Sequence, residues 1–279
     1  MRQVIDGGVM LDIIDAAQAA QDDEGIMRLK DDRWVMKVVD EGTVVMFAVR
    51  VTEEAMEEYT KGEYEKLGVR FPGIKDSIFT KTENVEMEVL DHKLHVRQQG
   101  YDAGLALTDP QYVSGDAQHA PDVTWAVEAT GDISFIKDFV KRADSIIGAS
   151  SFSISPRPNH LYLYAEEDNE DLVKKYPWED FDDFWIDWSV GGEPPGSGGN
   201  IPAQDKACDT ILSIDYAKEL KFIEDEGTIH VDNHTPVKIL FDTMDGVDAS
   251  YFFSPRISSD DVRSCMPDSA AEPEDRVGN

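Results

Sequence analysis

The densest grouping of side chains able to do chemistry is Trp178-Glu-Asp-Phe-Asp-Asp-Phe-Trp-Ile-Asp-Trp188. Carboxylates beside tryptophans are what a glycosidase or a lectin would use, the acids for proton transfer and the indoles against a sugar ring. Trp178, Glu179, Asp183, Trp185 and Asp187 would carry that reading, a carbohydrate-active or carbohydrate-binding protein. No second acid stands at a defensible spacing, however, and the same residues read as a half-buried strand with Phe184, Ile186 and Trp188 on one face. The chain has no phosphate-binding loop, no Gly-x-Ser-x-Gly elbow and no His-Glu-x-x-His. His92 and His95 stand three apart on a turn and a strand, which reads as a solvated pair rather than a metal site. Cys208 and Cys265 are too few for a four-cysteine zinc site or a disulfide framework. The expectation is a protein with no catalytic set, no metal and no cofactor.

The cations are scarce enough for their placement to matter. Lys137 and Lys141 are four apart, opposite the apolar face of one helix, with Arg142 nearby. Lys218 and Lys221 are three apart on another helix, and Lys75 lies on the corresponding helix of the first half. The helix near the N-terminus has no Lys or Arg. Lysines on corresponding helices suit a shared surface for a polyanion.

The elements that position these residues read as two passes through one pattern. The spacing predicts a helix over 8–20, strands at 26–30, 35–39, 44–51 and 67–71, and a short helix from Pro72. Strands at 85–90, 93–98 and 101–107 follow, then a connector over 109–122 rich in turn-forming residues. The second half repeats this order: a strand at 124–129, a helix over 132–147, strands at 151–155, 161–164, 184–190 and 211–214, a helix over 216–223, and strands at 228–231, 237–241 and 250–253. Segments 166–183 and 191–204 read as inserted loops, and the acidic tail from 258 to 279 as disordered. The fold class is α+β, a duplicated unit with similar domains at 1–108 and 123–257 joined by the 109–122 connector.

Acidic residues number 57 against 26 basic, a net charge of −31, and they are spread along the whole chain. Repulsion of that size disfavours a compact state at low salt. At molar salt the Debye length falls to about 3 Å and the repulsion is screened. The composition therefore reads as adaptation to high salt. No apolar run reaches the length of a membrane-spanning helix, and the N-terminus has no signal-peptide pattern, so a cytoplasmic location is expected.

The C-terminal third carries a family resemblance. Thr235-Pro-Val-Lys-Ile-Leu-Phe-Asp followed by Ala249-Ser-Tyr-Phe-Phe-Ser-Pro-Arg-Ile257 resembles the ending of PCNA-type DNA sliding clamps. Ile211-Leu-Ser-Ile-Asp-Tyr-Ala-Lys-Glu-Leu resembles their last strand-to-helix transition. Val38-Val-Asp40 with Thr43-Val-Val, and Leu105-Ala-Leu-Thr-Asp-Pro110, resemble segments of their first half. The resemblance implies a homotrimeric ring of six similar domains around double-stranded DNA, with inner helices lining the channel and antiparallel sheets outside. It implies a processivity factor, opened by a clamp loader, that tethers DNA polymerase, nuclease and ligase through short peptides in replication and repair. By position, Lys75, Lys137, Lys141, Arg142, Lys218 and Lys221 would face the DNA. A peptide pocket would take in Val39, Thr43, Val44, Tyr112, Val113, Pro236, Tyr251, Phe252, Ser254 and Pro255. The subunit seam would pair Tyr101, Leu105 and Leu107 on one edge strand with Phe184, Trp185, Ile186 and Trp188 on another.

The charge yields the first prediction. Unfolding midpoints should rise as KCl goes from about 0.1 M to several molar, because added salt screens the repulsion. A flat or falling midpoint in a thermal melt series would sink the high-salt reading.

Overall fold

The computed structural model describes residues 1–20, 23–42, 44–114, 123–157, 159–186, 210–221, 225–232 and 235–255. Thr43, Asp187, Trp188, both cysteines, the 191–204 segment and the tail lie outside these residues, as do the side chains of 242 and 243.

The chain runs through the same order twice. The first pass is β1 (Arg2–Asp6), α1 (Gly7–Ala20), β2 (Glu24–Leu29), β3 (Arg33–Val39), β4 (Val45–Thr52), β5 (Met56–Thr60), β6 (Lys66–Arg70), α2 (Phe71–Asp76), β7 (Asn84–Leu90), β8 (Lys93–Gln98) and β9 (Tyr101–Ala106). The second is β10 (Val127–Asp132), α3 (Ser134–Arg142), β11 (Ser151–Pro156), β12 (His160–Glu167), β13 (Glu170–Pro177), β14 (Asp183–Ile186), β15 (Thr210–Ser213), α4 (Ile214–Glu219), β16 (Glu226–Val231), β17 (Val237–Met244) and β18 (Val247–Phe253). Each strand and helix of one repeat has a counterpart at the same place in the other. The α+β duplication expected from the sequence is therefore the observed fold class.

By compactness the chain divides into unit 1, made of Met1–Ala120, Leu220–Asp225 and Leu240–Phe252, and unit 2, made of Pro121–Glu219, Glu226–Ile239 and Phe253–Asn279. Unit 1 holds a sheet in the order β5-β1-β7-β8-β9 and a run of strands in the order β18-β4-β3-β2-β6. Unit 2 holds a sheet in the order β13-β12-β11-β15 and the run β14-β10-β16 leading into β17. The strand pairings whose register is defined among the described residues are antiparallel, as short turn-linked connections allow.

The helices form where apolar residues recur at helical spacing. In α1, Met10, Ile13, Ile14 and Ala17 are buried beneath the turn opened by Asp6, whose carboxylate accepts from the Val9 amide at 3.0 Å. In α3, Ile136, Phe139 and Val140 are buried, and the Asp132 carboxylate accepts from the Ser134 amide at 2.8 Å. The expected 132–147 helix is shorter. It passes at Ala143 into a π-helical turn and stops at Gly148, whose φ of 65° suits glycine.

Three features depart from the expectations. Strands β1 and β5 were not expected, because Arg2-Gln-Val-Ile-Asp and Met56-Glu-Glu-Tyr-Thr are short and largely polar. The 166–183 segment is not an inserted loop. It holds the end of β12, all of β13 and a single 3-10 turn at Trp178–Asp180. Asp168 and Asn169 make the hairpin turn with φ of 48° and 71°, placing Glu167 opposite Glu170. His92 sits in an equivalent turn with φ of 63°, so backbone geometry accounts for its position.

One buried side chain organises the connection after α2. Gln98 is 4% exposed; its Oε1 accepts from the Phe79 and Thr80 amides at 2.7 and 3.0 Å. Its Nε2 donates to the Thr80 and Glu83 carbonyls, each at 2.9 Å. Gln98→Ala leaves several part-buried backbone groups without their partner and should lower stability by about 1–2 kcal/mol. Urea unfolding at fixed salt checks this, and a change below about 0.5 kcal/mol would contradict it.

Candidate functional site

Three surfaces bear on the expected function: a cationic helix face, exposed strand edges and a peptide-binding region. The first differs between the units. On α3 of unit 2, Lys137, Lys141 and Arg142 are exposed opposite the buried Ile136, Phe139 and Val140. Lys141 and Arg142 stand in the last turn, where the partial negative charge of the helix end favours cations. Lys218 on α4 donates to Asp215 at 2.8 Å and lies 3.8 Å from Asp144. The Asp215 hydrogen bond holds its ammonium pKa above the ordinary lysine value. Lys221, just past α4 in the chain, is exposed.

In unit 1 the cations on α2 and in the turn after it are paired. Lys75 on α2 is 2.5 Å from Asp15, and Lys81 donates to Asp12 at 2.7 Å, both acids being on α1. That bond to Asp12 raises the Lys81 pKa. Lys75 is thus a weaker candidate for an anion than Lys141 or Arg142, which have no ion-pair partner among the described residues.

The second surface is a set of sheet edges. β9 ends the five-stranded sheet of unit 1, and beside it Tyr101 is 64% and Phe79 53% exposed, their rings 4.8 Å apart. Leu105 and Leu107 are half-buried on the same edge. In unit 2 both β13 and β14 end their sheets. Val173 on β13 and Ile146 on the π-helical turn are exposed, and sequence reasoning missed both, along with Phe79. An acid-rich hairpin hid the strand that carries Val173. On β14 the alternation holds in direction, with Phe184 and Ile186 opposite the buried Ala129 and Val127 of β10. The edge position nevertheless leaves Phe184 47% and Trp185 52% exposed, so Phe184 does not pack inward as expected.

The third surface is only partly superficial. In unit 1, Val39 and Val44 are half-buried around Asp40. The Asp40 carboxylate accepts from the amides of Gly42, Val44 and Val45 at 2.9, 2.6 and 2.7 Å, fixing the β3–β4 turn. Tyr112 is 75% exposed. Val113 and Phe252 are buried, and Tyr251 is wholly so, its hydroxyl donating to the Ala16 and Lys221 carbonyls at 2.8 and 3.2 Å. Burial pushes its phenol well above the ordinary pKa. Tyr251 is therefore a core residue rather than a pocket wall. In unit 2, Pro236, Ser254 and Pro255 are half-buried, and the Pro236 carbonyl accepts from Trp125 Nε1 at 2.7 Å.

The carbohydrate reading finds no support. Trp178 is 3% exposed and its Nε1 donates to the Arg157 carbonyl at 2.7 Å, so this indole is not a platform for a sugar. No cluster of three or more His, Cys, Asp or Glu suited to a metal ion exists among the described residues. His95 instead bonds Asp102 at 2.7 Å. No described helix is long and apolar enough to cross a membrane.

No family model matches the chain. It is 22% identical over 267 residues to a DNA polymerase sliding clamp of Methanococcoides burtonii, covering 93% of this chain and 99% of that one. It is 23% identical over 246 residues to the DNA polymerase sliding clamp of Halobacterium salinarum, covering 85% and 91%. Among solved structures, it is similar to the A. fulgidus PCNA that was solved with the C-terminal region of FEN-1, at a TM-score of 0.76 and 22% identity. That match covers 92% of this chain and 99% of the other. PCNA of Thermococcus kodakaraensis matches at a TM-score of 0.75 and 16% identity, covering 91% and 99%. The likeness spans nearly the whole of both partners in each case, and the fold is the PCNA-type DNA-clamp fold.

Proposed function

We propose that this chain, with its PCNA-type clamp fold, is one subunit of a DNA polymerase sliding clamp: a homotrimeric ring around duplex DNA that works as a scaffold without catalysis. The observation that carries this reading is the fate of equivalent strands in the two repeats. β18 pairs with β4 inside the chain. Their counterparts are β9, the last strand of the first repeat, and β13, the fourth strand of the second. Both end their sheets. Laying β9 of one copy on β13 of the next repeats between chains the pairing already made within one. The contact is head-to-tail, so it closes into a ring when the rotation per subunit divides the circle.

Side chains support the same seam. Phe79, Tyr101 and Leu105 crowd the β9 edge, while Ile146 and Val173 lie at the β13 edge. Apolar contact suits molar salt, which screens ion pairs and strengthens burial. This assigns the second side of the seam to β13 rather than to Phe184, Trp185, Ile186 and Trp188. Lys137, Lys141, Arg142, Lys218 and Lys221 would face the DNA, with Lys75 contributing least because Asp15 holds it. Val39, Val44 and Tyr112 in unit 1, and Pro236, Ser254 and Pro255 in unit 2, would be contacts for partner peptides from polymerase, clamp loader, nuclease and ligase. The setting would be the cytoplasm of a salt-loaded cell or infected host, on replicating DNA.

Light scattering in multimolar KCl should give three times the 31.2 kDa chain mass. Val173→Asp or Tyr101→Asp should leave folded monomers, whereas Ile186→Pro should stay trimeric, since β14 lies outside the seam. A monomeric wild type, or a trimeric Val173→Asp together with a monomeric Ile186→Pro, would reverse the assignment.

Charge reversal of Lys137, Lys141 and Arg142 together to Glu should shorten polymerase products on primed circular DNA, most at the lowest salt the ring tolerates. Phosphate contacts weaken steeply as salt rises, so the deficit should shrink in molar KCl. Equal product lengths at every salt would make these residues ordinary surface cations.

A further inference from the structure

On the clamp reading the seam uses β13, which leaves without a role the edge of β14, the end strand of its sheet among the described residues, and the chemistry of that edge is unusual. Natural sheets blunt such edges with charges or cover them, because unpaired N–H and C=O groups invite another strand. The counterpart edge, β5, follows that rule. Glu57 and Glu58 are exposed, Glu58 is tied to Arg2 at 3.0 Å, and the Tyr59 hydroxyl bonds the Lys30 and Arg33 carbonyls, each at 2.8 Å. At the same place in the second repeat stands Asp183-Phe-Trp-Ile186, with one aromatic ring exposed on each face of the strand.

The edge is also held in place. Phe184 stacks on Trp178 at 6.2 Å, and Trp178 is fixed by its bond to the Arg157 carbonyl. The Asp182 amide donates to the Thr130 carbonyl at 2.9 Å and the Phe181 amide to Trp178 at 3.1 Å, so the turn leading into β14 is pinned. Around the rings, Glu179, Asp180, Asp182 and Asp183 are exposed, and no Lys or Arg occurs between Lys175 and Lys206.

We propose that the β14 edge captures an extended segment of a protein partner by strand addition, a segment alternating apolar and basic residues. Backbone bonds to the open edge provide the register. Alternate apolar side chains cover Phe184 and Trp185, and lysines or arginines meet the four carboxylates. A second copy of this chain is disfavoured, since its own β14 brings the same carboxylates against them. The site rests on the clamp reading only in that β14 lies outside the proposed seam, and it is distinct from the pocket proposed around Tyr112.

The probe is a fluorescein-labelled peptide of about twelve residues alternating Lys with Phe and Val, long enough to span the strand. Anisotropy is read in KCl from about 0.5 to 3 M, with a control N-methylated at alternate residues to remove one row of backbone donors. Saturable micromolar binding is expected, weakened roughly tenfold or more by N-methylation and by Trp185→Ser, as for an interface anchor. The Trp185→Ser chain should keep the wild-type mass. If that variant does not fold, Asp182→Asn with Asp183→Asn serves: its affinity should fall at the low end of the salt range and approach wild type at the high end. Absence of saturable binding overturns the proposal, as does equal binding of the N-methylated peptide. Binding indifferent to every variant overturns it as well.

Discussion

A strand at the end of a sheet needs a partner for its backbone, and that requirement organises this molecule. Inside the chain it is met once, where β4 lies beside β18. The duplication then leaves one strand of each kind unmet, β9 in the first repeat and β13 in the second. On the proposed reading a chain built this way is incomplete as a monomer, and another copy of itself completes it. The apolar rings at these edges have the same origin: Tyr101 against Phe79 is a poor solvent surface and a good half of an interface.

The extreme charge has to coexist with ordered sheets, and the five-stranded sheet shows how. Glu58 on β5, Arg2 on β1, Glu86 on β7, Arg97 on β8 and Asp102 on β9 are linked in series. Adjacent members are 2.9 to 3.2 Å apart, so the alternation of sign crosses every strand. His95, then Arg97, hold the Asp102 carboxyl below its ordinary pKa. Each pair is exposed or half-buried, and worth little alone. Their service is to remove like-charge opposition across the ladder, where two facing carboxylates would be unfavourable.

Much of this was legible in the sequence, and the misses share a cause. Helices α1 and α3 declared themselves because Met10, Ile13 and Ala17, or Ile136, Phe139 and Val140, recur at helical spacing. The hairpin strands β7, β8 and β9 did so by alternation. β13 is hard to see because Glu170-Asp-Leu-Val-Lys-Lys-Tyr-Pro has charges where alternation would be read, and the Asp168-Asn169 turn reads in sequence as part of a loop. Acidic enrichment erases the polar-apolar contrast on which strand recognition rests. Tyr251 shows the opposite limit. Its motif was correctly located, but a linear motif does not say which of its aromatic residues points into the core, and only the bond to the Ala16 carbonyl does. That Lys75 is matched by Asp15 was equally hidden, since the two lie sixty residues apart in the sequence.

The remaining tension is between a polyanionic protein and a polyanionic ligand. Cations on or near the helices are largely committed: Lys75 to Asp15, Lys81 to Asp12, Lys218 to Asp215. Lys141 and Arg142 stand apart on α3 with no such partner among the described residues. With few cations free to meet phosphate, each subunit would contribute little electrostatic affinity. In molar salt each contact adds little affinity anyway, so adding cations would not hold an open-groove binder on DNA. A closed ring escapes the problem: retention comes from topology, and weak contacts leave it free to slide. On the proposed reading, then, the acidic composition and the DNA-encircling role are compatible because affinity is not what keeps the ligand in place.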